Sequence, residues 1–223
     1  MASFGHVAVG LLAGRLHGGA PGAANRRASA GTLALFAAVS MLPDADVFMV
    51  AMGASESSAM GHRAASHSLA VAVGMGLLGA VATRRLGWPV MRTALAVGLA
   101  TASHALLDLL GIGGRGVMLL WPFSFDRLHS PWRLFPNAPR GIKLLSHAGL
   151  VELAIEIAIF SPLTLYALWP QIRERLDRVR TTWGRRTPNL RLVEGNAAPA
   201  GPVTQASPPP VAPQNDPRLR SSG

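Results

Sequence analysis

Five apolar segments dominate the first 170 residues, at 3–16, 31–52, 66–83, 90–111 and 147–169. A helix needs about 20 apolar residues to cross a bilayer, with a usual range of about 17–25. The last four segments reach that length. The first is short and reads as a re-entrant or half-buried helix. Gly and Ala recur along these runs, as in Gly-Met-Gly-Leu-Leu-Gly-Ala at 74–80, and small residues let membrane helices approach closely. The fold expected is all-α: an integral membrane helical bundle with four to five membrane-embedded helices and a disordered C-terminal tail. The competing expectation is a soluble all-helical core. Composition argues against it, because only 14% of the 223 residues are charged, against about 25% in an average soluble domain.

The placement of charge sets the topology. The net charge is +10, and 20 of the 21 basic residues are Arg. Arg15, Arg26 and Arg27 lie between the first two segments, and Arg84, Arg85 and Arg92 between the third and fourth. A dense basic run, Gln-Ile-Arg-Glu-Arg-Leu-Asp-Arg-Val-Arg, follows the fifth. These places fall on one side if every segment crosses, and the positive-inside rule makes that side cytoplasmic. The 112–146 connection runs against the pattern with four Arg and one Lys. The basic balance thus reads as topology and contact with the lipid bilayer, and no nucleic-acid partner is expected. The N-terminus has no basic stretch ahead of its apolar part and reads as retained rather than as a signal peptide. Three regions are expected: a membrane-embedded domain at 1–170, a basic amphipathic juxtamembrane segment at 171–187, and a Pro/Ala-rich disordered tail at 188–223. No internal repeat is visible.

Polar residues within the apolar segments carry the chemistry. They are His6, Asp44, Asp46, His67, His104, Asp108, His147, Glu152 and Glu156. With the topology above, all fall in the outward half of the membrane. A charged side chain at mid-bilayer costs about 2.5–3.5 kcal/mol on insertion scales. Gathering the carboxylates around a polyvalent cation offsets that cost. The chain has no Cys, so a metal would bind through imidazole, carboxylate, backbone or water. His104 and Asp108 stand four apart in Ser-His-Ala-Leu-Leu-Asp and share a helix face. Their other reading is a hydrogen bond within the helix. Pro43, in Leu-Pro-Asp-Ala-Asp, should break or kink its helix, although an ordinary turn with Asp caps fits as well. Ser66 is a candidate N-cap, with His67 just inside the helix and His62 and Arg63 before it. Arg63 offers a planar donor suited to phosphate or carboxylate. His17 falls on the cytoplasmic side and reads as incidental. The Trp121–Pro136 loop, which holds His129, could be a lid or an interfacial aromatic belt.

Together these stretches resemble a known family. An early His6, Leu42-Pro43-Asp44-Ala45-Asp46, His62-Arg63-Ala64-Ala65-Ser66-His67-Ser68, Ser103-His104-Ala105-Leu106-Leu107-Asp108 and Gly116-Val117-Met118-Leu119-Leu120-Trp121-Pro122-Phe123-Ser124 resemble the YdjM-like inner-membrane proteins, regarded as metal-dependent hydrolases. The resemblance covers residues 1–165. It implies a multi-pass protein of the bacterial inner membrane, whose C-terminal tail the charge placement above makes cytoplasmic. That family is more remotely similar to zinc-dependent phospholipases C and single-strand nucleases, whose zinc ligands are clustered His, Asp and Glu. The chain departs from their His-x-x-x-Glu pair, since His147 and Glu152 are one residue further apart.

The resulting expectation is a metal-dependent hydrolase whose cofactor is a divalent metal, zinc by donor type. His6, Asp44, His67, His104 and Asp108 are the expected ligands. Asp46 is left between bridging ligand, orienting group and general base. His62 and Arg63 would hold an anionic group of the substrate, a phosphodiester or ester of a lipid. The rival readings are a non-enzymatic scaffold or regulator with a structural metal, and a transporter.

Overall fold

A computed structural model describes residues 4–18, 28–112, 114–132, 134–135 and 145–186. The expected tail at 188–223 lies outside the described residues. Among the described residues six α-helices follow in order: α1 (Phe4–His17), α2 (Ala30–Met41), α3 (Asp46–Ala51), α4 (Leu69–Leu86), α5 (Val90–Leu109) and α6 (His147–Arg186). Two 3-10 turns, Leu42–Ala45 and Ala65–His67, precede α3 and α4. Among the described residues four stretches are long and apolar enough to cross a membrane: Ala30–Ala51, Leu69–Leu86, Val90–Leu109 and His147–Trp183. The first helix, with 14 residues, is about 21 Å long, too short to cross a core of about 30 Å.

Local chemistry sets the boundaries. Ser29 caps α2 by accepting from the Thr32 backbone N–H at 3.0 Å. Ser68, rather than the expected Ser66, caps α4 by accepting from Val71 N–H at 3.1 Å. His67 consequently sits in the turn ahead of the helix. Gly87 ends α4 in the left-handed conformation, φ 64°, which a residue without a Cβ adopts freely. Pro43 breaks the second apolar segment as expected, between α2 and α3. Two other prolines do not break their helix. Pro162 and Pro170 lie inside α6, which runs unbroken through the expected boundary at 170–171. As far as Arg186, the juxtamembrane segment expected at 171–187 continues the helix of the last span.

The bundle turns its apolar side chains outward. Val73, Leu77, Leu78, Leu95 and Leu99 are all more than half exposed, the pattern of a lipid-facing surface. The small core is Phe36, Val39, Val97 and Ala100, where α2 meets α5. α1 packs on α2 and α5, and α4 on α5. Gly10 permits the first of these contacts. A Cβ there would stand 2.4 Å from Ser40 Oγ and 2.6 Å from the Phe36 carbonyl. α6 joins α1 at two levels. Glu156, buried, accepts from Gly5 N–H at 3.5 Å, and Arg15 lies 3.8 Å over the Tyr166 ring. His17 is not incidental: it is 2% exposed, with Nε2 2.9 Å from Thr93 Oγ1 on α5 and its ring against Trp88 and Phe36.

Candidate metal centre

Four chain segments meet at one place: the start of α1, the break after α2, the turns before α4 and the last turns of α5. Asp44, His67, His104 and Asp108 each offer a ligand atom there, all within 4.8 Å of one another. Burial is nearly complete, with His67 and His104 at 1% and 0% exposed and Asp108 at 4%. Only the Asp44 carboxylate is partly open, at 28%.

The two imidazoles are held with one nitrogen pointing into the cluster. His104 Nδ1 donates to the Ser40 carbonyl at 2.7 Å. That carbonyl is at a helix end, and it cannot take a bond from residue 43 because proline has no N–H. His104 Nε2 is therefore the lone-pair nitrogen. It faces Asp44 Oδ1 at 3.3 Å and Asp108 Oδ2 at 3.9 Å. His67 is fixed similarly. Ser66 Oγ donates to Asp46 Oδ2 at 2.6 Å, so it accepts from His67 Nδ1 at 2.9 Å. His67 Nε2 then faces Asp108 Oδ2 at 3.3 Å and Asp44 Oδ1 at 3.7 Å. Both Nε2 atoms are buried and make no hydrogen bond. Buried polar atoms ordinarily find partners, and a divalent cation between two imidazole and two carboxylate donors satisfies all four. Metal-binding imidazoles are usually oriented in this way through their second nitrogen. In the ion-free cluster burial pushes the His67 imidazole down, but the carboxylates of Asp108, Asp44 and Asp46 around it reverse this and raise it to about 10.

The neighbouring residues hold the ligands in place. Arg63 adopts φ 61°, a left-handed conformation that costs a non-glycine residue of order 1–3 kcal/mol. The turn lets one residue serve two carboxylates. Its backbone N–H donates to Asp46 Oδ2 at 3.0 Å, while its guanidinium grips Asp108 through Nη2 at 3.1 Å and Nε at 3.0 Å. Asp46 also takes His62 Nδ1 at 2.7 Å. A second possible grouping, Asp44, Asp46 and His62, is thus already filled by protons and donors. Asp46 stands as a hub for orienting groups, and Arg63, expected to face a substrate anion, is engaged with Asp108.

The remaining expected residues divide. His6, on α1, stacks on His104 at 3.7 Å and 12° and brings Nε2 to 3.6 Å from Asp108. It lies beside the four-residue group rather than in it. His147 is exposed at the start of α6, and neither it nor Glu152 joins the cluster. Glu156 reaches the N-terminus of α1, next to His6. The segment after α5 closes over the site. Met118 N–H donates to the Arg63 carbonyl at 3.0 Å, and Leu69 N–H to Leu119 at 3.0 Å. Arg127 donates to the carbonyls of His62 at 3.0 Å and Glu56 at 2.8 Å. Sequence reasoning missed Ser40 and Arg127. A serine one turn from a helix end and one Arg among several in a loop carry no distinguishing signal.

Comparison with known proteins agrees with this picture at the level of family. Residues 1–174 match the YdjM inner membrane protein family. The chain is 39% identical over 110 residues to the inner membrane protein YbcI of Escherichia coli (strain K12), covering 47% of this chain and 62% of that one. The chain thus aligns with less than two thirds of that relative's length. No solved structure gives a significant match, so the more remote likeness to zinc phospholipases C has no fold comparison behind it. A family match over more than three quarters of the sequence settles the assignment: the chain belongs to the YdjM inner membrane protein family.

Proposed function

We propose that this protein is a membrane-bound metal-dependent hydrolase, acting on a phosphodiester or ester at the headgroup level of the outer face. The observation that supports this most is the pair of buried Nε2 atoms, on His67 and His104, aimed without hydrogen bonds at two carboxylates. Asp44, His67, His104 and Asp108 would hold the ion, and the mixed imidazole–carboxylate set suits zinc. A bound divalent ion supplies Lewis acidity and lowers the pKa of a bound water. Arg63 keeps the Asp108 carboxylate in position from behind. His62 gives its Nδ1 proton to Asp46 and lines a cavity beside the cluster. Nε2 of His62 is then placed to take a proton, with Asp46 stabilising the imidazolium that results. The positive-inside rule, applied to Arg15, Arg84, Arg85, Arg92 and the Arg-rich run after residue 171, supports a site that faces outward and a cytoplasmic C-terminal segment.

A second reading has a specific observation in its favour. Four protein donors, three of them buried, also describe a closed structural site, which would tie helix ends together in a scaffold. Elemental mass spectrometry of detergent-purified wild type against His104→Ala/Asp108→Ala, with hydrolysis of a chromogenic phosphodiester and a chromogenic ester, separates the two. The hydrolase reading expects about one zinc per chain, lost in the folded double variant, and turnover that chelation abolishes. Metal without turnover leaves the scaffold. No bound metal after reconstitution with zinc, manganese or magnesium overturns both.

A further inference from the structure

Beside the cluster lies a polar cavity of about 290 Å³, walled by Glu56, His62, Arg63, Gly114 and Arg115. Two chain segments build it, the connection ahead of α4 and the one following α5. Its character differs from three other hollows among the described residues, which are apolar grooves between helices. The positive charge around it is unusually dense. Arg63 forms part of the wall and spends its charge on Asp108. Arg127 sits behind and donates to three backbone carbonyls, of His62, Gly116 and Glu56. Carbonyl oxygens satisfy a guanidinium's hydrogens without neutralising its charge, which the carboxylates of Glu56 and Asp46 offset without reversing the downward push. Arg115 stands exposed in the wall, close enough to Arg127 that its charge, after burial, helps push the Arg127 guanidinium down from its usual value. Like charges held together in this way call for a counter-ion, and Glu56 is the one acidic residue in the wall.

We propose that this cavity is an anion subsite, in which Arg115 binds the phosphoryl group of the substrate beside His62 and the metal cluster. The inference rests on the hydrolase reading and names its substrate class. A guanidinium suits a tetrahedral oxyanion because its parallel N–H groups can engage two oxygens at once. The charges of Arg115 and Arg127 together match a phosphate ester better than a neutral carboxylic ester. The His62 side chain connects the two halves of the site. It touches the cavity on one side and, through Asp46, the orienting network of His67 on the other.

The test uses the full chain in detergent, loaded with zinc, and titrates inorganic phosphate into wild type, Arg115→Gln and Arg115→Lys by calorimetry. Each titration is repeated after chelation. Arg115→Gln should weaken phosphate binding at least tenfold while leaving zinc content unchanged, and Arg115→Lys should recover part of the loss. Binding that Arg115→Gln leaves intact, or no binding in zinc-loaded wild type, overturns the subsite. If wild type holds no metal, the hydrolase reading falls, yet Arg115-dependent phosphate binding in the chelated sample still supports the subsite and its absence refutes it. Glycerol phosphate and nanodiscs of phosphatidylglycerol then distinguish a soluble phosphate ester from a lipid headgroup. Tighter Arg115-dependent binding of either one supports the proposal and identifies the source.

Discussion

Gly10→Ala should damage the metal centre from a position that touches no ligand. The new methyl would lie 2.6 Å from the Phe36 carbonyl and 2.7 Å from Ala37 Cα, both backbone atoms that no rotamer change can move. Ordinary contact starts near 3.4 Å, so α1 must move away from α2 by about 0.8 Å, an overpacking that costs about 1–3 kcal/mol. The shift also strains the bond from Ser40 Oγ to the His6 carbonyl, 2.8 Å in the native packing, a contribution of about 0.5–1.5 kcal/mol. Ser40 is the residue whose carbonyl orients His104, so the displacement is felt at the cluster. We expect an apparent melting temperature lower by roughly 5–10 °C, and zinc affinity lower by about 10–100-fold, as for the loss of a group that orients a ligand. The assay is thermal unfolding in detergent with zinc affinity from a competing chelator dye. Gly74→Ala is the control, because its Cβ would meet nothing within 4 Å. If Gly10→Ala melts with the control and binds zinc as tightly, the argued coupling of helix packing to the site is wrong.

Arg63→Lys keeps the charge but loses the two-point grip on Asp108, so zinc affinity should fall about tenfold or more, measured with the same dye. Because His67 carries a proton in the ion-free cluster up to about pH 10, zinc binding near neutral pH should release about one proton from it. Calorimetry in two buffers of different ionisation enthalpy checks this, and His67→Ala should remove the proton release. Reporters fused after residue 60 and after residue 88 should fall on opposite sides of the membrane. A single Cys at position 178 in this Cys-free chain should label from the cytoplasmic side only, since the 40 residues of α6 extend about 60 Å, twice the bilayer core.

The spans were legible in the sequence as long apolar runs, and the candidate cluster as the polar residues that interrupt them. Ionisable residues are so unfavourable in apolar segments that His104, Asp108, Asp44 and His67 stand out, and the alternation of spans brings them to one end. The partition of roles could not be read in this way. Asp44 and Asp46 are two residues apart and chemically alike; only the turn of the chain at Pro43 gives one to the cluster and the other to His62, Arg63 and Ser66. Arg63 looked like an anion binder because nothing in its neighbourhood announces a left-handed backbone. In α6 the prolines misled. A proline removes one backbone bond and disfavours the helix locally, but Phe160 and Ala167 are buried on either side of Pro162, and tertiary packing there outweighs local propensity.

The knot at His17 has a mechanical consequence. It pins α1 to α5 at the end of α1 away from the His/Asp cluster, through Thr93 and with Trp88 and Phe36 around it. α1 is therefore an arm braced at both ends, by Thr93 at His17 and, at the other, by Glu156 on the Gly5 N–H and the Ser40 hydroxyl on the His6 carbonyl. The arm is about 16 Å long, so a swing of about 4° moves His6 by about 1 Å. That is enough to part a ring stack of 3.7 Å. Repacking around His17 is thereby carried along one rigid helix to the ring that stacks on His104.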